Sequence, residues 1–132
     1  PVAKSTLEEF FLTKVLGYMH GVNTHGQHKG DELKRVHCGK LPAQVMVACE
    51  KGSKGFCDKT PNQDNWSVTH FQSGHLLIVV CDGHGRSGHK VAQRASQTLP
   101  YFLMNHIVWV SDSVEEDAVQ KSFTDAFEKV QQ

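Results

Sequence analysis

The sequence predicts an α+β fold in which helices flank an antiparallel β-hairpin. Two short stretches with the composition of strands, residues 65–71 and 75–81, are joined by the tight connection "QSGH". Apolar residues recur at helical spacing on either side of this hairpin, in residues 5–19, 89–105 and 119–130. At 132 residues the chain is most simply one domain.

The first helix is predicted to run from Ser5 to about Met19. Ser5 and Glu8 have the spacing of an N-terminal capping box. The apolar stripe of this helix is formed by Leu7, Phe11, Val15 and Met19. The Gly-rich segment "GVNTHGQHKGDE", residues 21–32, predicts a loop after it. Residues 1–42 are therefore expected to form an N-terminal extension made of a helix and a loop.

The central part of the chain is predicted to contain strands separated by a turn-rich loop. The valine-rich segment "AQVMVACE", residues 43–50, is a strand candidate. The following segment "KGSKGFCDKTPNQD", residues 51–64, has the composition of turns throughout. In "NWSVTHF" the large apolar residues Trp66 and Val68 alternate with polar ones, as expected of a half-buried strand.

Two further helices are predicted after the hairpin. The first covers residues 89–105, where Pro100 predicts a kink or an early stop. The segment "HIVWVSDS", residues 106–113, is either a short strand or the end of that helix. Ser113 and Glu116 form a second capping box, which predicts the start of the last helix.

Composition excludes several classes of protein. Lys plus Arg and Asp plus Glu number 14 each, so we expect neither a dedicated nucleic-acid binder nor an anionic-membrane binder. The longest apolar run, Leu76 to Cys81, is too short to span a bilayer, and no signal peptide is recognisable. Since the chain begins with Pro1, we expect it to be a piece of a longer protein. Four cysteines without a C-x-x-C pair favour reduced thiols and an intracellular location, cytoplasmic or nuclear.

Two alternative ligand sites are disfavoured. Among the nine histidines, only His25 and His28 approach the paired spacing of a zinc site, and a polar Gly-rich loop is the better interpretation. The segment "GHGRSG", residues 83–88, matches a dinucleotide-binding fingerprint, with Asp112 as a ribose-binding acid. However, Asp82 would repel a pyrophosphate beside it, and a hairpin strand does not begin a βαβ unit.

The favoured interpretation of the stretch "HLLIVVCDGHGRSGHKVAQ" is a metal site. Asp82 stands at the tip of an apolar strand, and the next residue, Gly83, offers an unhindered carbonyl oxygen. Mg²⁺ and Mn²⁺ prefer such carboxylate and carbonyl ligands. His84 follows and exchanges protons near neutral pH. Asp64, in "PNQDNW", opens the first hairpin strand, so the hairpin is expected to bring Asp64 and Asp82 to the same end of the sheet.

These motifs together resemble the N-terminal third of the metal-dependent protein serine/threonine phosphatases, the PPM or type-2C family. The resemblance rests on "VVCDGHGRSGHKVA" and "KGFCDKTPNQDNW", covers about residues 43–130, and is greatest to the plant and protist branch. It implies the N-terminal part of an α-β-β-α antiparallel β-sandwich, incomplete in this chain. Residues 43–132 would then be the N-terminal portion of a phosphatase catalytic domain.

The resemblance also implies residue roles. Asp82 would bridge two Mn²⁺ or Mg²⁺ ions, the Gly83 carbonyl would bind one of them, and Asp64 would join the same centre directly or through water. His84 resembles the general acid that protonates the departing Ser or Thr oxygen, with a metal-bridging water as nucleophile. Gln63 would stand in the metal centre where many relatives carry Glu, so one formal charge is missing, although the plant-like branch shares the glutamine.

The phosphate-binding cation of the family would correspond to Lys59, with Lys54 as the alternative. A lysine supplies a point charge, not the bidentate fork of an arginine. The family's remaining metal-binding aspartates come from segments further downstream. We therefore expect this chain alone to bind metal weakly, to hydrolyse little phosphoprotein substrate, and to self-associate through exposed sheet surface. The alternative from another class is a non-catalytic, phosphatase-like interaction module.

Overall fold

The structure, a computed structural model, describes residues 3–21, 28–38, 41–52, 55–106 and 115–131. Its elements in chain order are helix α1 (Lys4–Lys14), strands β1 (Val15–His20), β2 (His28–Cys38), β3 (Leu41–Glu50), β4 (Asn65–Phe71) and β5 (Leu76–Cys81), and helices α2 (Gly88–Met104) and α3 (Glu116–Val130). The predicted α+β class is confirmed.

The described strands form two antiparallel sheets. One has the order β1–β4–β5, with β4 in the centre, and the other is the pair β2–β3. In the β4–β5 hairpin, Asn65 pairs with Cys81 at one end and His70 pairs with Leu76 at the other. The turn between them is closed by a hydrogen bond of 2.9 Å from the Gly74 amide to the Phe71 carbonyl. The predicted hairpin is therefore confirmed.

Two apolar cores lie on opposite faces of the three-stranded sheet, because alternate residues of a strand point to opposite sides. The first core joins this sheet to β3 and consists of Met19, Val45, Trp66 and Val68. The second joins it to α2 and α3 and consists of Val79, Leu99, Leu103 and Ala126. The described residues thus stack a helix layer, a three-stranded sheet and a two-stranded sheet.

Pro100 lies fully buried inside α2, and the helix continues past it to Met104. The predicted early stop at this proline is therefore wrong. Proline has no amide hydrogen, so the Ser96 carbonyl, four residues earlier, lacks its usual intrahelical donor. The Ser67 hydroxyl of β4 donates to this carbonyl at 2.6 Å, and both serines are fully buried. The sheet thereby satisfies an acceptor that the proline leaves open.

Several other predictions are confirmed. The strand predicted at residues 43–50 corresponds to β3, and the helices predicted at 89–105 and 119–130 correspond to α2 and α3. The described part of 51–64 contains no helix or strand. The segment 107–113, for which a strand or helix end was predicted, lies outside the described residues.

The predicted first helix is partly wrong. Helix α1 ends at Lys14, and Val15 begins a strand that pairs antiparallel with β4. The spacing of Val15 and Met19 also fits a strand, in which residues two and four apart share a face. Pairing with the edge of β4 satisfies the backbone of this segment and buries Met19, so tertiary contacts override the local pattern.

Both capping boxes and the first loop also need correction. Ser5 lies inside α1, whose N-cap position is Ala3, and Glu115 occupies the N-cap position of α3 instead of Ser113. The loop predicted for residues 21–32 gives way at His28 to β2, which pairs with β3. The first part of the chain therefore contributes strands as well as a helix. Residues 22–27 and Ser113 lie outside the described residues.

Candidate active site at the end of the β4–β5 hairpin

The register of the hairpin brings Asp64 and Asp82 together. Asn65 and Cys81 are the last pair of the ladder, and Asp64 and Asp82 are the next residue on each side of that pair. Both acidic residues are exposed and both line the same cleft. Like charges directly opposite each other on two strands are unfavourable unless a cation lies between them. This end of the sheet therefore carries two neighbouring acidic residues that line one cleft.

The loop before β4 is held in place by Asn62, which is 2% exposed. Its side-chain oxygen accepts a hydrogen bond of 3.1 Å from the Asp64 amide. Its side-chain nitrogen donates to the Cys49 sulfur of β3 at 3.4 Å. A side-chain oxygen that bonds the amide two residues later is the usual Asn turn. Asn62 therefore orients Asp64 and ties the loop to the second sheet.

The turn after β5 packs directly against this loop. A Cβ atom on Gly83 would overlap the backbone carbonyl oxygens of Gln63 and Gly88. A Cβ on Gly88 would lie 2.6 Å from the Gly83 carbonyl carbon. The Gln63 side chain donates a hydrogen bond to the Gly85 carbonyl. Only glycine permits such close backbone approach, so Gly83 and Gly88 are required for the two segments to meet.

The acidic pair opens into a cleft of about 260 Å³, here called the hairpin cleft. Its lining residues are Lys51, Gly52, Pro61, Asn62, Gln63, Asp64, Asp82, Gly83 and His84. Four of the predicted site residues with chemical roles, Gln63, Asp64, Asp82 and His84, therefore lie in one cleft, together with the Gly83 backbone. Two carboxylates, a carbonyl group and an exposed imidazole are thus available to one bound molecule.

Lys51 is a cleft residue that the sequence did not single out. Its ammonium group forms an ion pair with Asp58 and donates to the Thr60 carbonyl at 2.6 Å and the Thr60 hydroxyl at 3.0 Å. The hydrogen bond from Lys51, followed by those from Thr60, holds the pKa of Asp58 well below its ordinary value. The spacing of Asp58 and Thr60 indicates a local turn. No local pattern indicates that Lys51, seven positions before Asp58, closes this turn.

Of the two lysines predicted to bind phosphate, Lys59 lies within the described residues. Lys59 is exposed and is not among the residues that line the hairpin cleft. Lys54 lies outside the described residues, as does His25 of the zinc alternative. Within the described part of the chain, no three His, Cys, Asp or Glu side chains are grouped closely enough to hold a metal ion.

The structure also describes three of the cysteines and the strand that precedes the predicted dinucleotide-binding segment. Cys49, Cys57 and Cys81 are not joined by disulfides in the structure, and burial raises the pKa of Cys81. The segment 83–88 follows a strand that pairs antiparallel with β4. A dinucleotide fingerprint requires a parallel βαβ unit. The described pairings therefore disfavour that alternative, and its acid, Asp112, lies outside the described residues.

Comparison of this chain with protein-family models, with curated proteins and with solved structures finds no match. None of the helices in the described ranges is long and apolar enough to cross a membrane.

Proposed function

We propose that this chain carries the first part of the active site of a metal-dependent protein serine/threonine phosphatase. The observation that supports the proposal is the placement of Asp64 and Asp82 at adjacent cross-strand positions, with His84 lining the same cleft. The substrate would be a phosphoserine or phosphothreonine side chain of another protein, and the location cytoplasmic or nuclear.

The acidic pair, Gly83 and His84 would then have specific roles. The carboxylates of Asp64 and Asp82, with the Gly83 carbonyl, would hold two Mn²⁺ or Mg²⁺ ions. Such ions, when bound, would lower the pKa of a coordinated water and neutralise phosphoryl charge. His84, exposed at the cleft, would donate a proton to the departing Ser or Thr oxygen. Lys51 lines the same cleft, with its ammonium group paired to Asp58.

The donor set fits divalent cations in type but falls short in charge. Asp64 and Asp82 supply two negative charges to a centre whose two ions carry four positive ones. Gln63 adds no charge where a glutamate would. Cation affinity depends on the number of charged ligands. We therefore propose that the chain alone binds these ions weakly, on the order of millimolar, and that further carboxylates complete the centre.

Isothermal titration with Mn²⁺ tests this proposal. The unmodified chain is expected to release heat that saturates, whereas Asp82→Asn and Asp64→Asn should each weaken binding at least about tenfold, because each removes one of two charged ligands. The control Asp117→Asn removes an exposed acid from α3 and should leave binding unchanged. Absence of saturable heat, or equal loss in the control, would contradict the proposal.

A second candidate function, a non-catalytic interaction module, is favoured by the edge strand. In the described sheet β5 lies at an edge, and its Ile78 and Val80 are 55% and 79% exposed on one face. An exposed apolar edge strand invites pairing with another chain. Sedimentation velocity should show association that rises with concentration and that Val80→Lys abolishes. Val91→Lys, at an exposed valine of α2, is the control. A chain that stays monomeric would contradict this candidate.

A further inference from the structure

Gln63 is bonded to the turn that follows β5, across 22 positions of sequence. Its side-chain nitrogen donates to the carbonyl oxygen of Gly85. A Cβ on Gly88 would lie 2.9 Å from that nitrogen, so a glycine at this position leaves room for the amide. Gly85 has φ of 78°, a left-handed conformation that glycine adopts without strain. The turn is therefore shaped to receive the Gln63 side chain.

The Gly85 carbonyl also accepts the Gly88 amide, at 3.4 Å, which closes the turn that leads into α2. The Gly85 carbonyl oxygen therefore accepts two hydrogen bonds: one closes the turn, and the other attaches the turn to the loop before β4. Asp82 and His84 lie three and one positions before Gly85, and Asp64 follows Gln63 directly. The bond from Gln63 consequently joins the two segments that carry the cleft residues.

We propose that Gln63 is a positioning residue, whose amide holds the turn of residues 83–88 against the loop before β4. It thereby sets Asp82 and His84 relative to Asp64. The consequence for catalysis rests on the proposed function, whereas the bond itself exists in the metal-free chain. An ionised glutamate carries only acceptor oxygens and cannot donate to a carbonyl group. The bond therefore needs a donor that glutamine supplies and an ionised glutamate lacks, and this role differs from the metal-centre role first expected for this position.

The proposal is tested by nuclear magnetic resonance on the metal-free 132-residue chain. Gln63→Met and Gln63→Glu both remove the donor at nearly constant side-chain length, and only the second adds charge. The matched control is Gln72→Met, at an exposed glutamine at the opposite end of the hairpin. In the unmodified chain, a scalar coupling is expected between the Gln63 side-chain nitrogen and the Gly85 carbonyl carbon.

Both Gln63 variants should loosen the turn while the control does not. The backbone order parameter of Gly85 is expected to fall from about 0.85 to below about 0.6. Hydrogen-exchange protection of the Gly88 amide should fall roughly 2- to 13-fold, as expected for loss of one net hydrogen bond. An unchanged turn in Gln63→Met would overturn the proposal. Loosening by Gln63→Glu alone would also overturn it, since added charge would then be the cause.

A titration with Mn²⁺ separates this proposal from the proposed function. If Gln63 positions the cleft, Gln63→Met should weaken Mn²⁺ binding while the midpoint of thermal unfolding falls by no more than about 5 °C, as expected for the loss of one net hydrogen bond. A large fall in that midpoint would indicate a purely structural role. Failure of the unmodified chain to bind Mn²⁺ would overturn the proposed function, and the metal-free order parameters would still decide the role of Gln63.

Discussion

Replacing Ser67 by alanine removes the hydroxyl that serves the Ser96 carbonyl across the sheet–helix interface. Both residues are fully buried, so no water can replace the lost donor. A buried acceptor left unsatisfied costs about 1–3 kcal/mol. With an unfolding entropy of about 2.1 cal/mol/K per residue, a chain of 132 residues loses about 3.6 °C in unfolding midpoint for each kcal/mol. The expected loss is therefore about 4–11 °C.

A double-mutant cycle with Pro100→Ala tests the physical reason. An alanine at position 100 restores an amide hydrogen four residues after Ser96, so the carbonyl regains an intrahelical donor. In that background, Ser67→Ala should cost no more than about 0.5 kcal/mol, which implies a coupling of at least about 0.5 kcal/mol. Urea unfolding followed by tryptophan fluorescence measures all four proteins. Equal costs of Ser67→Ala in both backgrounds would refute the reasoning.

Three further predictions concern single residues. Gly83→Ala should lower the free energy of unfolding by at least about 1–3 kcal/mol, because the added Cβ overlaps backbone atoms. In the control Gly52→Ala the Cβ enters open space, so the urea midpoint should change little. Equal effects of the two substitutions would contradict the packing described. The low pKa of Asp58, caused first by the Lys51 hydrogen bond, implies stabilisation that is present above its unfolded pKa of about 3.9 and is lost as the pH falls toward the lower folded value. Carboxyl-carbon titration should show that Lys51→Met raises this pKa, and an unchanged pKa would exclude Lys51 as the main cause. The Tyr18 hydroxyl is buried without a hydrogen-bond partner among the described residues, and burial raises its pKa. Tyr18→Phe should therefore leave the urea midpoint unchanged or higher. A fall in the free energy of unfolding above about 1 kcal/mol would indicate that the hydroxyl has a hydrogen-bond partner.

The hairpin and the acidic pair could be predicted because the relevant signals are local. Alternating Trp66 and Val68, an apolar run and a tight connection define two antiparallel strands. Residues that flank such strands at their open end must lie side by side. That geometric rule is sufficient to bring Asp64 and Asp82 together, and the register of the structure confirms it. Helices α2 and α3 were also predicted, since each carries a continuous apolar stripe.

The first strand could not be predicted in the same way. Residues 15–20 carry a pattern that fits either a helix or a strand, and the choice depends on whether β4 offers a free edge to pair with. The same holds for the buried Pro100. The helix continues past it, and the Ser67 hydroxyl of β4 donates a hydrogen bond to the Ser96 carbonyl that the proline leaves without an intrahelical donor. In both cases the partner, a residue of β4, is distant in sequence, so local propensity cannot predict the contact.

The amino-acid sequence by itself determined the hairpin, the two C-terminal helices and the meeting of Asp64 with Asp82, because these depend on periodicity and on strand direction. Tertiary structure alone decided the hydrogen bond from Gln63 to Gly85 and the ion pair by which Lys51 closes the turn at Asp58. Those contacts join side chains to partners on other segments, and their formation depends on packing distances that no local pattern encodes.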